Sequence, residues 1–359
     1  MSRLDGLRAV AIIGVFIYHF TWFWTSAAQG QNLLPYDDVL AFIPMADVGY
    51  LGVYLFFLIS GQVILITLER TKNPVDFFIK RVARLWPTLI LCGTLTFIVV
   101  SILGPPELQS TIPEYLISLL ILPPNKIAPV FGASDWQWLD GAYWSLWVEV
   151  RFYALFGLIF YVFNKYWFYV WILFSAFCFI LTILVQFASV QALEPIGSIL
   201  IYQYLPFFTL GIAAQLRHRP QYISLLKWVI PASLIHIIIL RYPVLGFDLG
   251  MIQHWIGLAF IIALYAMTVE NTVGTKWLEP LSGIGRASYS FYLLHQVLGV
   301  SLIVGISTVI GPQWSVIMIA PLFLLLLVTS SIIYEKYEQP MNRLFVGKFV
   351  HTQKAIMDR

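Results

Sequence analysis

Apolar residues run in long stretches along this chain, and short polar segments separate them. A membrane-spanning helix needs ~20 mostly apolar residues. The pattern contains ten such stretches, which cover residues 7–25, 50–68, 87–103, 142–163, 167–188, 198–216, 224–240, 251–269, 287–310 and 315–334. It therefore predicts an all-α, polytopic membrane protein with about ten transmembrane helices.

The segments between the predicted spans are short, with one exception. Residues 104–141 form a longer outer segment rich in Pro and Trp, in which a short interfacial or re-entrant helix is expected around residues 115–122. Neither an internal repeat nor a soluble domain stands out. The expected organisation is one integral-membrane domain over residues 1–340 and a short cytoplasmic tail at 341–359.

Composition and charge agree with a membrane protein. Of 359 residues, 60% are hydrophobic and 11% are charged, whereas soluble domains carry roughly 25% charged residues. This excludes a soluble enzyme, a disordered chain and a nucleic-acid binder. With the N-terminus inside, 18 of the 21 Lys and Arg residues lie on the cytoplasmic side, which predicts that both termini are cytoplasmic. No His/Cys cluster has zinc spacing, so no metal is expected.

Arg8 and His19 are ionisable residues of the first predicted span. They are eleven residues apart, so an α-helix places them on one face, about 16 Å apart along its axis. A guanidinium can hold phosphate, and an imidazole can act as a general base. The pair favours a long, thin ligand with phosphates at one end and a reactive group at the other. Alternatively, Arg8 anchors the helix beside Asp5, and His19 only hydrogen-bonds a neighbouring helix.

Glu149 and Arg151 place two further charges in the fourth predicted span. Glu149 lies about 10 Å from the outer end of that span, a depth similar to that of His19. A contact between the two would orient the imidazole and stabilise its cation. Arg151 is the alternative partner of Glu149, but residues two apart do not share a helix face. Arg151 itself has no assigned role.

Other candidates lie beside the third and within the ninth predicted spans. Arg81 and Arg84 can face one ligand if their segment is helical, either a phosphate group or anionic lipid heads. Tyr292 and His295 share a helix face, where a structural hydrogen bond is as plausible as catalysis. Tryptophans of the outer segments can stack on sugar rings, beside Asp135 or Asp140, or form an interfacial belt; they are Trp136, Trp138, Trp144 and Trp147.

Six short motifs resemble those of the membrane-bound acyltransferase family 3, in the same order and from end to end of the chain. Each is weak alone, but six in sequence are specific. They are Arg8 to His19 (Arg-x10-His), residues 56–61 (FFLISG), 77–87 (FFIKRVARLWP), 144–153 (WSLWVEVRFY), 288–295 (SYSFYLLH) and 338–340 (EQP).

The resemblance implies an enzyme that moves an acyl group, usually acetyl, from cytoplasmic acyl-CoA to a hydroxyl or amine acceptor. The acceptor is usually a carbohydrate, on a lipid carrier or a surface glycan, and the location is the bacterial inner membrane. His19 would be the catalytic base, with Glu149 holding its imidazole. The phosphates of CoA would contact Arg8, Arg81 and Arg84.

Two of the motifs also supply candidate substrate contacts. These are Trp144, Ser145, Tyr153, Tyr292 and His295. Some family members carry an extracellular SGNH-type domain after the last span. This chain is expected to lack that domain, so any transfer to one would need a separate partner protein.

Three alternatives stay open at the level of sequence. A transporter or flippase of a lipid-linked glycan would also have many spans and buried charge, but it needs no CoA site. Another membrane acyltransferase fold with a buried histidine would favour lipid or protein acceptors. A non-catalytic subunit would only bind partners. The acceptor, the acyl chain, a covalent acyl-enzyme and the oligomeric state are not determined by the sequence.

Overall fold

The computed structural model describes residues 2–28, 30–241 and 249–347, and in this part all regular structure is helical. The α-helices are α1 Ser2–Tyr18, α2 Leu51–Glu69, α3 Pro74–Leu103, α4 Ile112–Leu119, α5 Pro124–Ile127, α6 Trp144–Phe163, α7 Trp167–Gln186, α8 Glu194–Ile199, α9 Leu205–Leu216, α10 Pro220–Arg241, α11 Leu249–Val269, α12 Ser282–Arg286, α13 Ser288–Leu294, α14 Val297–Ile310 and α15 Ile319–Ile333.

Helices of membrane length confirm the all-α, multi-pass prediction. In the described part, seven helical stretches are long and apolar enough to cross a bilayer, or eight if α13 and α14 form one bent span. One stretch, Gly141–Gln186, has 46 residues and contains both α6 and α7. The twelve residues of α9 extend only about 18 Å. The count of ten and the side of the termini stay predictions.

Helical structure extends beyond the predicted spans at two places in the described part of the chain. Helix α3 begins at Pro74, well before the predicted start at residue 87, so the basic segment that precedes the span is helical. At the other end, residues 341–347 of the predicted tail are helical. The remainder of that tail, residues 348–359, lies outside the described residues.

Burial along the helices is inverted relative to a soluble protein. Large apolar side chains point outward, for example Val309 with 84% of its surface exposed and Ile102 with 74%. Polar side chains are buried, for example Ser290 and Thr182, each with a hydrogen-bond partner. This distribution is expected where hydrocarbon is the solvent, because polar groups there need partners inside the protein.

The helices form two compact units. Unit one comprises described residues 2–52, 79–147 and 273–347, and unit two comprises 53–78 and the described residues of 148–272. In unit one, α1 packs on α12 with the backbones in direct contact. A Cβ at Gly6 would overlap the Leu278 carbonyl, and one at Gly285 would overlap the Asp5 carbonyl. Only glycine permits this approach.

Unit two contains most of α2, the larger part of α6, and α7 to α11. Gly61 of α2 and Gly211 of α9 let these helices touch, since a Cβ at either would overlap the opposite backbone. Beside them, the rings of Phe152 and Phe208 stack at 4.0 Å between centroids. Packing of small residues and aromatic rings is how helices associate where the hydrophobic effect is absent.

The predicted continuous helix over residues 287–310 is wrong. The chain breaks between Leu294 and Val297, and the two halves, α13 and α14, meet at a 52° angle. Both residues of the break, His295 and Gln296, are buried. Irregular backbone at membrane depth is tolerated where protein surrounds it, and the apolar pattern carries no sign of such a break.

Candidate functional site

His19 and His295 face each other in the interior of unit one. His19 directly follows α1 and opens a short π-helical turn, His19–Phe23, a feature that is frequent at functional sites. His295 occupies the break between α13 and α14. The Nε2 atom of His295 lies 3.2 Å from Nδ1 of His19, and both side chains are buried, His295 completely.

Hydrogen bonds to backbone carbonyls determine the tautomer of both rings. Nδ1 of His19 lies 2.9 Å from the Val15 carbonyl, and Nδ1 of His295 lies 2.7 Å from the Tyr292 carbonyl. A carbonyl only accepts, so each Nδ1 carries a hydrogen. In a neutral His295, Nε2 is therefore an acceptor, and it faces the Nδ1–H of His19. Nε2 of His19 keeps its lone pair and can take a proton.

Asp140 holds the break in place. Its Oδ2 accepts a hydrogen bond from the Val297 backbone N–H (3.0 Å), and its Oδ1 accepts one from the Ala142 N–H (2.8 Å). One carboxylate thus caps the first turn of α14 and the short 3-10 turn that leads into α6. Burial raises the pKa of the Asp140 carboxyl to about 7. Asp140 is fully buried and bound to backbone, so it is not placed to bind a sugar hydroxyl.

Ser145 and Tyr292, both predicted substrate contacts, are bonded to each other. The Tyr292 hydroxyl donates to the Ala142 carbonyl (2.9 Å), and the Ser145 Oγ lies 2.8 Å from the Tyr292 hydroxyl. The bonds join the start of α6 to α13, directly before the break that holds His295. Trp144, the neighbour of Ser145, is half-buried. The assignment of these residues to substrate stays a prediction.

A group of charged residues surrounds Arg8. Its guanidinium donates to Asp5 Oδ1 at 2.8 Å. Arg8 and Arg84 also interact electrostatically with Glu338, whose carboxylate accepts a hydrogen bond from the Ser290 hydroxyl at 2.9 Å. Glu338 ends a second π-helical turn, Tyr334–Glu338. The first, third, fifth and sixth motifs therefore meet in unit one.

Arg81 and Arg84 both lie in α3, so their segment is helical, as the prediction that they face one ligand requires. They are three residues apart on a continuous helix and so share a face. Both side chains are half-buried and have neighbours with which they interact. Their role as a phosphate site stays a prediction.

Glu149, predicted beside His19, belongs to unit two. Within that unit its Oε1 accepts hydrogen bonds from the Ser60 hydroxyl (2.7 Å) and from the Tyr153 hydroxyl. The predicted substrate residue Tyr153 is therefore bonded to the predicted catalytic carboxylate. Arg151, which had no assigned role, donates to the Ser198 carbonyl. The contact between Glu149 and His19 stays a prediction.

The family profile described as an acyltransferase domain matches residues 1–336. The chain belongs to the acyltransferase 3 family. Across the described residues, no three His, Cys, Asp or Glu side chains are grouped as metal ligands would be. The membrane acyltransferase assignment drawn from the six motifs is therefore confirmed at the level of the family.

Similarity to individual acyltransferases is modest. The O-acetyltransferase OatA of Staphylococcus aureus strain NCTC 8325 / PS 47 is 29% identical over 181 residues, which is 44% of this chain and 24% of OatA. OatA of strain MRSA252 gives the same values. The matched region thus spans about a quarter of the length of these relatives. No solved structure matches the chain significantly.

Two serines that bond motif carboxylates were missed by the sequence interpretation, and Asp140 was named there only as a contact for sugar. Ser60 and Ser290 are serines of quoted motifs, and each donates to a carboxylate of another motif. Because each serine and its carboxylate both belong to motifs of the same family, the motifs could have suggested these two hydrogen bonds. Asp140 bonds Val297, which is 157 residues away, and nothing in its local sequence distinguishes it from the other outer carboxylates.

Proposed function

We propose that this protein is an integral-membrane O-acyltransferase that moves an acyl group, most plausibly acetyl, from acyl-CoA to a hydroxyl of a carbohydrate acceptor. The observation that supports this best is the pair of histidines. Val15 and His295 bind the Nδ1–H of His19, so Nε2 is available as a general base. The proposed location is the bacterial inner membrane.

The transfer step needs one base and balances without a further reagent. Nε2 of His19 takes the proton of the acceptor hydroxyl while that oxygen attacks the thioester carbonyl. The C–S bond then breaks, and the CoA thiolate leaves with the proton that His19 received. During the step the Nδ1–H of His19 stays between two neutral acceptors, the Val15 carbonyl and Nε2 of His295, which keep the ring oriented.

The proposed donor site lies around Arg8, with Arg81 and Arg84 on α3. Guanidinium groups bind phosphate with two parallel hydrogen bonds, and CoA carries phosphates at one end of a long chain. Asp5 and Glu338 keep Arg8 oriented. From Arg8 the pantetheine arm would run along α1 for about 16 Å to His19.

Glu149 is proposed as a positioning carboxylate, and the remaining acceptor contacts as Trp144, Ser145, Tyr153 and Tyr292. The hydrogen bonds from Ser60 and Tyr153 hold the Glu149 carboxylate in one orientation. This supports a defined role for Glu149, because a half-buried carboxylate held by two donors has little freedom to reorient.

Transfer of label from acetyl-CoA tests the proposal. Purified protein is incubated with radiolabelled acetyl-CoA and a membrane glycan extract, and His19→Ala is compared with His218→Ala, a change at an exposed histidine. Wild type and His218→Ala should label glycan, and His19→Ala should lose at least about 100-fold in rate. Equal labelling by His19→Ala would remove His19 from the chemistry. Absence of transfer by the wild type would favour the flippase alternative.

A further inference from the structure

A polar cavity of about 360 Å³ opens in unit one, and two of its lining residues closely follow the two histidines in the sequence. Its lining includes Trp24, five residues after His19, and Val297, two residues after His295. The long segment before α6 supplies most of the remaining wall, including Trp136 and Trp138. We refer to it as the Trp24 cavity. Its volume is in the range of small-molecule sites, ~300–1,000 Å³.

The carboxylate of Glu114 joins two segments of the wall of the Trp24 cavity by hydrogen bonds. Oε2 of Glu114 accepts hydrogen bonds from the N–H and hydroxyl of Thr111, completing a capping box at the start of α4. Its Oε1 accepts the Gln137 N–H at 2.8 Å. The Leu139 N–H is bound by the buried Ser118 hydroxyl at 2.9 Å. The tryptophans are therefore presented on a preorganised backbone.

Two buried polar atoms lack a partner among the described residues, one on a lining residue and one on a side chain that lies behind the lining residue Gly141. The indole Nε1–H of Trp24 is one, in a side chain that is 7% exposed. The other is Oε1 of Gln296, whose side chain lies against Gly141, a lining residue. An unpaired buried donor and acceptor are unfavourable. A ligand with hydroxyl groups, which both donate and accept, would satisfy them.

The charge of the lining is entirely acidic. Glu107, Glu114 and Asp135 contribute carboxylates, and no Lys, Arg or His is present among the described lining residues. The Glu114 carboxylate already accepts hydrogen bonds from backbone N–H groups. Glu107 and Asp135 have no hydrogen-bond or ion-pair partner in the described part of the chain. Two free carboxylates accept hydrogen bonds from hydroxyl or ammonium groups and repel anions.

We propose that the Trp24 cavity binds the acceptor, and that it selects a sugar unit without negative charge. Trp136 and Trp138 present ring surface to the apolar face of the sugar, and Glu107 and Asp135 accept from its hydroxyls or from a protonated amine. This rests on the proposed function, in which the acceptor hydroxyl must reach His19, and adds the charge class of the acceptor.

Binding of three sugar tetramers to the purified full chain, by isothermal titration calorimetry, tests the charge selection. The probes are tetramers of N-acetylglucosamine (neutral), glucosamine (cationic) and galacturonate (anionic). The first two should bind at least about tenfold more tightly than the third, a difference of ~1.4 kcal/mol. Glu107→Gln combined with Asp135→Asn should reduce that difference to below about threefold. The matched control, Asp38→Asn, changes an exposed carboxylate outside the cavity and should leave it intact.

A second variant separates stacking from charge. Trp138→Ala should weaken all three tetramers by a similar factor of about ten, since stacking does not depend on the charge of the sugar. Trp314→Ala, at a tryptophan with 58% of its surface exposed, is the control. Thermal unfolding of each variant verifies that it is folded.

The outcomes distinguish this proposal from the proposed function. Equal binding of the three tetramers, tighter binding of galacturonate, or an unchanged difference in the double variant overturns the charge selection. A protein that hydrolyses or transfers from acetyl-CoA but binds none of the tetramers overturns the cavity as acceptor site, while the transferase stands. Charge-selective binding without any acetyl transfer overturns the transferase alone.

Discussion

At the scale of single residues, two buried contacts organise the candidate site. His295 binds Nδ1 of His19, and Asp140 binds the backbone at the start of α14. Both are polar interactions in an interior where an unpaired polar group is strongly unfavourable. Each therefore determines geometry as well as stability, and each can be tested by a substitution that removes one atom or one charge.

The first residue-scale prediction concerns the hydrogen-bond acceptor next to His19. His295→Leu removes it, and kcat for acetyl transfer should fall about 100-fold, a usual size for losing support of a general base. His295→Gln retains an acceptor oxygen and should recover at least about tenfold of that loss. The KM for acetyl-CoA should stay within twofold in both, as measured by steady-state kinetics. Identical kcat values for the two variants would contradict the role of the acceptor.

The second residue-scale prediction concerns pH and Asp140. Burial raises the pKa of Asp140 to about 7, above the ordinary value near 3.9, so folding favours the protonated carboxyl. The contribution of Asp140 to stability is therefore present at low pH and is lost as pH rises through 7. Between pH 5 and pH 8 this amounts to ~2 kcal/mol.

Thermal unfolding in detergent at a series of pH values measures this effect. The unfolding midpoint of the wild type should fall between pH 5 and pH 8 relative to that of Asp140→Asn, which cannot titrate at this position. Asp38→Asn, at an exposed carboxylate, should follow the wild type. A constant difference between wild type and Asp140→Asn across the range would show that Asp140 does not titrate there.

At the scale of elements, the site depends on interruptions of helices that the apolar pattern shows as continuous. His19 begins one π-helical turn and Glu338 ends another, while His295 occupies a break. Regular helices would place these side chains differently, because each interruption changes the residues that face the neighbouring helix. The close packing of α1 on α12 then sets where Arg8 lies.

The element-scale prediction tests that packing with two glycines of α12. A methyl group at Gly285 would overlap the Asp5 carbonyl, whereas one at Gly283 would meet no atom within 4 Å. Gly285→Ala should separate the helices and lower the free energy of unfolding by about 1–3 kcal/mol, as overpacking does. Gly283→Ala should be neutral or slightly stabilising, since alanine favours the helix. The reverse order in thermal unfolding would contradict the packing described.

At the scale of the whole molecule, the motifs form two groups within unit one, one around Arg8 and Glu338 and one around the two histidines. Residues of four motifs, three of them charged, meet around Arg8 and Glu338, and His19 follows Arg8 by about 16 Å along the first helix. A ligand that reaches from one to the other must be long and narrow. This supports acyl-CoA as the donor.

The whole-molecule prediction is that the arginines near Arg8 determine the affinity for CoA, whereas the two histidines determine the rate of acyl transfer. Arg81→Gln with Arg84→Gln should weaken CoA binding by about 10- to 100-fold, the loss of one or two charge-assisted hydrogen bonds. Calorimetry on folded protein measures it. Arg219→Gln, which removes an ion pair to Glu69 in unit two, serves as the control. Unchanged CoA affinity in the double variant would assign these arginines to lipid head groups.

The sequence by itself determined the class of the protein and supplied candidate residues for its site. Long apolar stretches require helices, since only internally hydrogen-bonded structure crosses a bilayer. The order of the motifs identified the family, and Arg8, His19 and His295 were named from them. Spacing along one helix predicted a common face for Arg8 and His19, a relation that is local in sequence.

Only the tertiary structure decided which of these residues are in contact and which ring nitrogen of each histidine carries the hydrogen. His19 and His295 are 276 positions apart, and Asp140 and Val297 are 157 apart. The break at His295 exists because a carboxylate from another segment binds the freed Val297 N–H and because protein surrounds it. Such contacts depend on how helices pack against each other, and the one-dimensional pattern of apolar residues contains no information on that.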